Sequence, residues 1–279
     1  MTTQETSPEE TVLVTRFCRE GMTSSYDNNF KWPTEGPVSC DDWSPTPQCG
    51  HGLHGWLWGK GEPGAWNYYT TDVMLVVEVL KSDIVNLEGK VKFPRGNVVY
   101  CGDRQSVTTF MEERGHTEIM YGYRAVGDSE TAESEGARSV VRAGAYGIAK
   151  AGFRGRATVG PDGLAIAGDG GKAVAGDRGT AVTGAYGEAT VACGGRAIVG
   201  EKGTATVGVG GHAMCTGRHG RLCVERDNDT IATKDDPKPG VFYHIGEKGN
   251  IVQYRGSDPP HMGVPWDTVV SHMGVKLHS

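Results

Sequence analysis

Residues 143–214 read, in units of eight, AGAYGIAK (Ala143–Lys150), AGFRGRAT, VGPDGLAI, AGDGGKAV, AGDRGTAV, TGAYGEAT, VACGGRAI, VGEKGTAT and VGVGGHAM (Val207–Met214). The consensus is small-Gly-x-x-Gly-x-Ala-x, and Ala192 is the one departure from the first glycine. The seventh position is alanine in every unit, from Ala149 to Ala213, and the next unit opens with Ala, Val or Thr. Small apolar residues alternating with variable ones give the period of a strand with one buried face. The two glycines bracket a variable pair, as expected where the backbone turns sharply or runs close to another segment. No unit has the bulk to bury a face alone, so each must stack on its neighbours. Two octads then make one flattened sixteen-residue coil with a strand on each side. The nine octads give about four and a half coils, a stack roughly 20 Å high at about 4.8 Å per coil. A flexible linker would not hold alanine at every eighth position, and a collagen helix needs glycine at every third.

The sixteen-residue period sorts the outward positions onto two faces. One carries Arg156, Thr158, Lys172, Val174, Glu188, Thr190, Thr204 and Thr206. The other carries an apolar ladder of Leu164, Ile166, Val182, Ile198 and Met214. A solvent-exposed apolar ladder on a flat sheet is an association surface. It is expected to be a homodimer interface, or the seat of the chain's own terminal regions.

Outward from the repeat, the chain reads as mainly β. A disordered leader (1–10) precedes a small α+β N-terminal domain (11–122). A two-sided β-solenoid follows (123–225, clearest over 143–214), and then a linker and capping tail (226–279). Strands are expected at Thr11–Phe17, Asp72–Leu80, Val85–Leu87, Lys90–Phe93 and Asn97–Tyr100, with a short helix over Arg104–Arg114. Glu135–Arg142 reads as a degenerate octad. Arg226–Pro239 is charged and linker-like, and Gly240–Tyr254 reads as a hairpin around Gly246–Gly249.

The chain has 279 residues, 43 of them glycine, and a net charge of −6. The repeat is nearly neutral, which argues against non-specific nucleic-acid binding. No apolar run reaches transmembrane length, and the polar N-terminus is unlike a signal peptide. Seven widely spread cysteines fit a reducing compartment. Together these lead to the expectation of a cytoplasmic protein with no membrane partner and no cofactor.

The segment Cys49-Gly-His-Gly-Leu-His54, followed by Val77-Glu78 at the end of a strong strand, resembles a domain of unknown function found in bacterial and phage proteins. That domain carries a Cys-x-x-Gly-[Phe/Leu]-His segment and is often followed by Gly/Ala-rich octapeptide repeats. The resemblance covers residues 11–115, brings no activity, and implies a setting that includes phage–host interaction. The repeat separately resembles the sixteen-residue coils of bacterial ice-nucleation proteins. Thr204-Ala-Thr206 keeps their outward Thr-x-Thr once, while Arg156, Lys172 and Glu188 replace it elsewhere on that face. The resemblance therefore implies the coil geometry and not ice binding.

Three sites follow from residue chemistry. Cys40, Cys49, His51 and His54 have the donor atoms of a zinc site, at a spacing unlike the familiar ones; the alternative is a core histidine, His54, holding a glycine-rich turn. Arg16, His54 and Glu78, with Trp56, Trp58, Trp66, Tyr68 and Tyr69 as stacking surfaces, resemble the layout of ADP-ribosyltransferases, whose serine-centred middle motif is not identifiable here. That resemblance implies a dinucleotide held by the basic and polar residues and a glutamate stabilising a ribose cation. Cys101-Gly-Asp103-Arg104 places a thiol before a helix start, with His116 downstream. The leading reading is a binding or structural protein: a rigid solenoid with a dimerisation face presents an aromatic-rich domain to a protein or nucleotide. The alternative is a nucleotide-acting enzyme using Arg16, His54 and Glu78.

Overall fold

The computed structural model describes residues 10–23, 30–61, 73–227 and 229–254. The chain divides into two compact units, Met1–Gly122 and Tyr123–Ser279. The first is a small α+β unit and the second a two-sided β-solenoid capped by antiparallel strands.

The first unit is built from β1 (Thr11–Cys18), β2 (Gly36–Ser39), β3 (Leu53–Leu57), β4 (Val73–Leu80), β5 (Val85–Asn86), β6 (Val91–Phe93), β7 (Arg95–Gly102) and the helix α1 (Arg104–Glu112). The strands form one antiparallel sheet in the order β2-β7-β4-β1-β3-β6-β5. Its spine is the β1–β4 ladder, paired from Thr11↔Leu80 to Cys18↔Val73. Both strands alternate, so Val12 and Val14 share a face with Leu75, Val77 and Val79 and pack with Trp32, Val91 and Phe93. On β1 the other face carries Phe17, edge-on to Trp56 at 5.7 Å and to Tyr121 at 5.4 Å. The helix starts where Asp103 caps it, its Oδ1 accepting from the Ser106 N–H at 2.7 Å.

In the solenoid, seven parallel strands stack in one sheet: Tyr123–Ala125, Val140–Ala143, Arg156–Val159, Lys172–Ala175, Glu188–Val191, Thr204–Gly208 and Arg221–Arg226. Six stack in the facing sheet: Thr131–Ser134, Ile148–Ala151, Leu164–Ala167, Thr180–Thr183, Arg196–Val199 and His212–Cys215. Alanine pairs with alanine at sixteen-residue steps, as in Ala149↔Ala165↔Ala181↔Ala197↔Ala213. These alanines and the residues two places on form the thin buried core between the sheets.

The stack is taller than the clear octads indicate. One coil precedes them, because Val126–Glu133 keeps Gly127 and Ala132 while Glu130 stands in for the second glycine. The Glu130 carboxylate accepts from the Gly127 N–H at 2.8 Å, a local bond the octad consensus does not foresee. At the far end the expected linker contains a strand, Asp229–Asp235, antiparallel to Arg221–Arg226. It lies at the end of its sheet, largely exposed, so no apolar alternation marks it in the sequence. Val241–Ile245 and Ile251–Gln253 form the expected antiparallel hairpin and close the other sheet, with Val241–Ile245 antiparallel to His212–Cys215.

The octad glycines serve close approach and not a left-handed backbone. In most octads the positive φ falls on the fourth position, usually a side-chain-bearing residue such as Tyr146 (57°), Asp162 (56°), Arg178 (56°) or Tyr186 (57°). A Cβ on Gly200, a second-position glycine, would lie 2.5 Å from the Ala185 nitrogen and from the Gly184 carbonyl carbon of the adjoining coil. The glycine therefore sets the distance between coils.

Thr183 occupies an inward position where other octads carry Ala or Val. It is buried, and its hydroxyl has no hydrogen-bond partner. An unsatisfied buried hydroxyl costs about 1–3 kcal/mol. Thr183→Val is expected to stabilise the protein by about 1 kcal/mol, read as a higher urea midpoint; a lower midpoint would show that the hydroxyl is satisfied.

Candidate functional site

The first unit holds a cavity of about 610 Å³ at the end of β3. Its lining includes Arg16 from β1, Phe30 and Trp32, the Cys40–Asp42 segment, the Cys49–His54 turn and Lys90. Arg16 lies on the same face of the sheet as Val12 and Val14 and is only 4% exposed. Its Nη1 donates to the His54 carbonyl at 2.7 Å, and its guanidinium lies 4.6 Å from the centre of the Trp32 ring. Trp32 is 3% exposed and stands edge-on to Phe30 at 5.6 Å; its indole N–H has no hydrogen-bond partner.

The turn before β3 is held from beneath by a residue that the sequence reading missed. Lys92 is fully buried, pairs in register with His54, and donates to the carbonyls of Gln48 at 2.9 Å and Gly50 at 3.3 Å. Gly52 has a φ of 139°, and a Cβ there would lie 2.8 Å from the Trp43 ring. That explains a glycine immediately before the β3 strand. Lys90 completes the wall, with its Nζ 3.0 Å from the Cys49 sulfur.

His54 is lowered from 6.5 to about 4, by burial first and then by the charges of Lys90, Arg16 and Lys92. Its Nε2 is buried without a hydrogen-bond partner. It is therefore neutral at physiological pH in a positive field. In the solenoid His212 is also lowered to about 4, by burial and then by His244, whose ring is 4.8 Å away, and by Arg196. Both histidines bind protons more weakly folded than unfolded, so their contribution to stability is complete above pH 6.5 and is lost as pH falls toward 4. The urea midpoint is expected to fall across that window, and less steeply in His212→Gln; an unchanged pH slope in that variant would contradict this assignment.

The other residues singled out by the sequence separate into several places. The structure does not bring Glu78 to Arg16 and His54. The β1–β4 register sets Glu78 opposite Leu13, on the other face of the sheet from Arg16. There it accepts from the Thr11 hydroxyl at 3.2 Å and lines a different cavity, with Pro37, Ser39 and Arg95. Trp56 is core, packed between Phe17 and Tyr121. Trp58 stacks on His116 at 4.4 Å. Neither lines the Arg16 cavity; Trp66, Tyr68 and Tyr69 lie outside the described residues.

Cys40, Cys49, His51 and His54 do border one cavity. Even so, among the described residues no three His, Cys, Asp or Glu side chains are grouped to hold a metal ion. Their contacts are separate: the Cys40 thiol donates to the Pro94 carbonyl at 3.3 Å, His51 faces Asp42 at 3.6 Å, and Cys49 faces Lys90. The Cys101 thiol is pushed up by burial, the reverse of activation, and the Asp103 beside it serves as the helix cap. Leu164, Ile166, Val182, Ile198 and Met214 form one cluster, as the ladder requires, but it is buried within a single chain and does not face solvent. Among the described residues no helix is long and apolar enough to cross a membrane.

Comparison with known proteins follows the same division. Residues 12–112 match the family model of a domain of unknown function, DUF7666. A stretch of 106 residues is 37% identical to an ice nucleation protein of Pseudomonas fluorescens, covering 37% of this chain and 9% of that protein. A stretch of 104 residues is 33% identical to one from Xanthomonas campestris pv. translucens, covering 37% of this chain and 6% of the relative. The ice nucleation protein InaA of Pantoea ananas is 31% identical over 105 residues, 37% of this chain and 8% of the relative. The chain thus spans less than a tenth of the length of these relatives, and its sixteen-residue coils are what resembles them. No solved structure matches the chain.

Proposed function

We propose that the protein is a binding module whose first unit takes an anionic ligand with a planar ring, of the nucleotide class, while the solenoid serves as a rigid scaffold. The observation that carries this reading is the Arg16 cavity. A nearly buried guanidinium, an aromatic wall of Trp32 and Phe30, and the ammonium of Lys90 border a space of about 610 Å³, within the usual range for small-molecule sites. Arginine is suited to bidentate recognition of phosphate or carboxylate, and the indole and phenyl rings offer apolar surface to a ring system. The positive charges of Lys90, Arg16 and Lys92 around His54 favour an anion in the same place.

The enzymatic alternative lacks its glutamate at this cavity, because Glu78 is on the other face of the sheet, and this favours the binding reading. The reading is tested by calorimetric titration of the full chain with AMP, ADP and NAD. Saturable binding of at least one of them is expected, and absence of heat with all three removes the nucleotide class.

A further inference from the structure

The solenoid carries a file of cationic and hydrogen-bonding side chains that no acid accompanies. The sixth octad position faces outward, and at sixteen-residue steps on one sheet it runs Ile148, Leu164, Thr180, Arg196, His212. The antiparallel strand Val241–Ile245 then sets His244 directly opposite His212. Three adjacent strands thus present a guanidinium and two imidazoles within about 10 Å. The His212 and His244 rings lie 4.8 Å apart, and the Tyr254 ring stands edge-on to His212 at 5.2 Å. All four residues are half-buried. Other cations of the solenoid meet acids: Lys172, Arg178 and Arg221 reach Glu188, Asp162 and Asp235 at 3.0, 2.6 and 2.7 Å. Arg196 has no such partner among the described residues. Its Nε is buried without a hydrogen bond, as is Nδ1 of His244. The groups that bear electrostatically on Arg196 and His212 are Tyr254, His244 and Arg196 itself, with no carboxylate among them.

We propose that Arg196, His212 and His244, with Tyr254 at their side, bind a phosphate group, as the free ion or as a small phosphomonoester. The guanidinium offers a planar fork of N–H donors, and each neutral imidazole offers one N–H more. A tetrahedral phosphate has enough acceptor oxygens for all three residues, whereas a carboxylate has two. Partial burial strengthens the attraction, because water screens a half-buried charge less than an exposed one. A metal cation fits the same place poorly. Among the described residues no third His, Cys, Asp or Glu joins the pair, and Arg196 puts a positive charge in the same file. The bound anion would also favour the charged form of His212, which burial, His244 and Arg196 hold down at about 4. The site shares no residue with the Arg16 cavity.

The test follows the histidine ring signals of the full chain by NMR as inorganic phosphate replaces chloride at constant ionic strength. His212→Gln and His244→Gln give the assignments. Saturable shifts of both signals are expected, with a rise in the pH at which His212 titrates. Arg196→Gln should weaken phosphate by about tenfold or more, and Arg16→Ala should leave the shifts unchanged. Methyl phosphate, titrated in parallel, separates the two sources: equal or tighter binding assigns the site to a phosphomonoester, and weaker binding to the free ion. Signals that do not move, or that respond equally in Arg196→Gln, overturn the proposal. Should Arg196→Gln fail to fold, Arg196→Lys keeps the charge and loses the planar fork, and must still weaken phosphate several-fold; unchanged affinity there overturns the proposal as well.

Discussion

Gly200→Ala is expected to destabilise the solenoid by about 3 kcal/mol, the upper end of the range for overpacking. A single methyl group has this effect because the atoms it would meet, the Ala185 nitrogen and the Gly184 carbonyl carbon at 2.5 Å, are backbone and cannot swing aside. Relief requires neighbouring coils to separate, and that stretches the hydrogen bonds Gly200 N–H makes to the carbonyls of Thr183 and Gly184, both at 3.1 Å. The control lies in another octad. Tyr146 has a φ of 57° and is exposed, so Tyr146→Gly removes roughly 1–2 kcal/mol of left-handed strain. It adds unfolded-state entropy worth about 0.5–1 kcal/mol. The net change is expected to stay within about 1 kcal/mol. Urea unfolding of both variants measures the contrast; comparable losses would mean that the glycines serve conformation and not coil spacing.

Arg16→Ala is expected to weaken nucleotide binding by roughly tenfold to a hundredfold, the equivalent of about 1.5–3 kcal/mol for hydrogen bonds to a charged group. Arg16 also holds the His54 carbonyl, so folding must be followed in the same samples by thermal unfolding. Lys90→Gln separates the two roles, because Lys90 stands at the more exposed wall and its replacement removes charge with little packing loss. It should weaken the same ligand several-fold with an unchanged melting temperature. Glu78→Gln should leave affinity unchanged, since Glu78 opens onto another cavity. Unchanged affinity in Arg16→Ala, or a loss in Glu78→Gln equal to it, would contradict the assignment of the site.

The solenoid was legible because its signal is periodic: alanine at each seventh position and β-branched residues beside it leave one way to stack. The strong strands of the first unit were legible as apolar runs joined by glycine turns, and the helix after Cys101 as a segment over Arg104–Arg114. Strands without alternation were not, as at β2, where a glycine and a proline open the segment, and at Asp229–Asp235, where exposure allows charged residues throughout. Of the residues named together in the sequence, Arg16 and His54 border the same cavity. Glu78 was misplaced because assigning it to a cleft required the β1–β4 register, and a single slip of pairing moves a side chain to the other face. Lys90 and Trp32, which line that cavity, and Lys92, which holds its turn, were not singled out. The place of each comes from which strand pairs with β3 and which loop lies over it, and neither is written in local spacing. The ladder was read as one apolar face, and the structure joins it in one cluster that is buried and not exposed to solvent.

The most direct test of the binding site is hydrogen-exchange mass spectrometry of the full chain with and without saturating ADP. Protection confined to peptides covering Phe30–Trp32, Cys40–Asp42, Cys49–His54 and Lys90 is the predicted result. Protection confined to the solenoid strands, or no change anywhere, would contradict it.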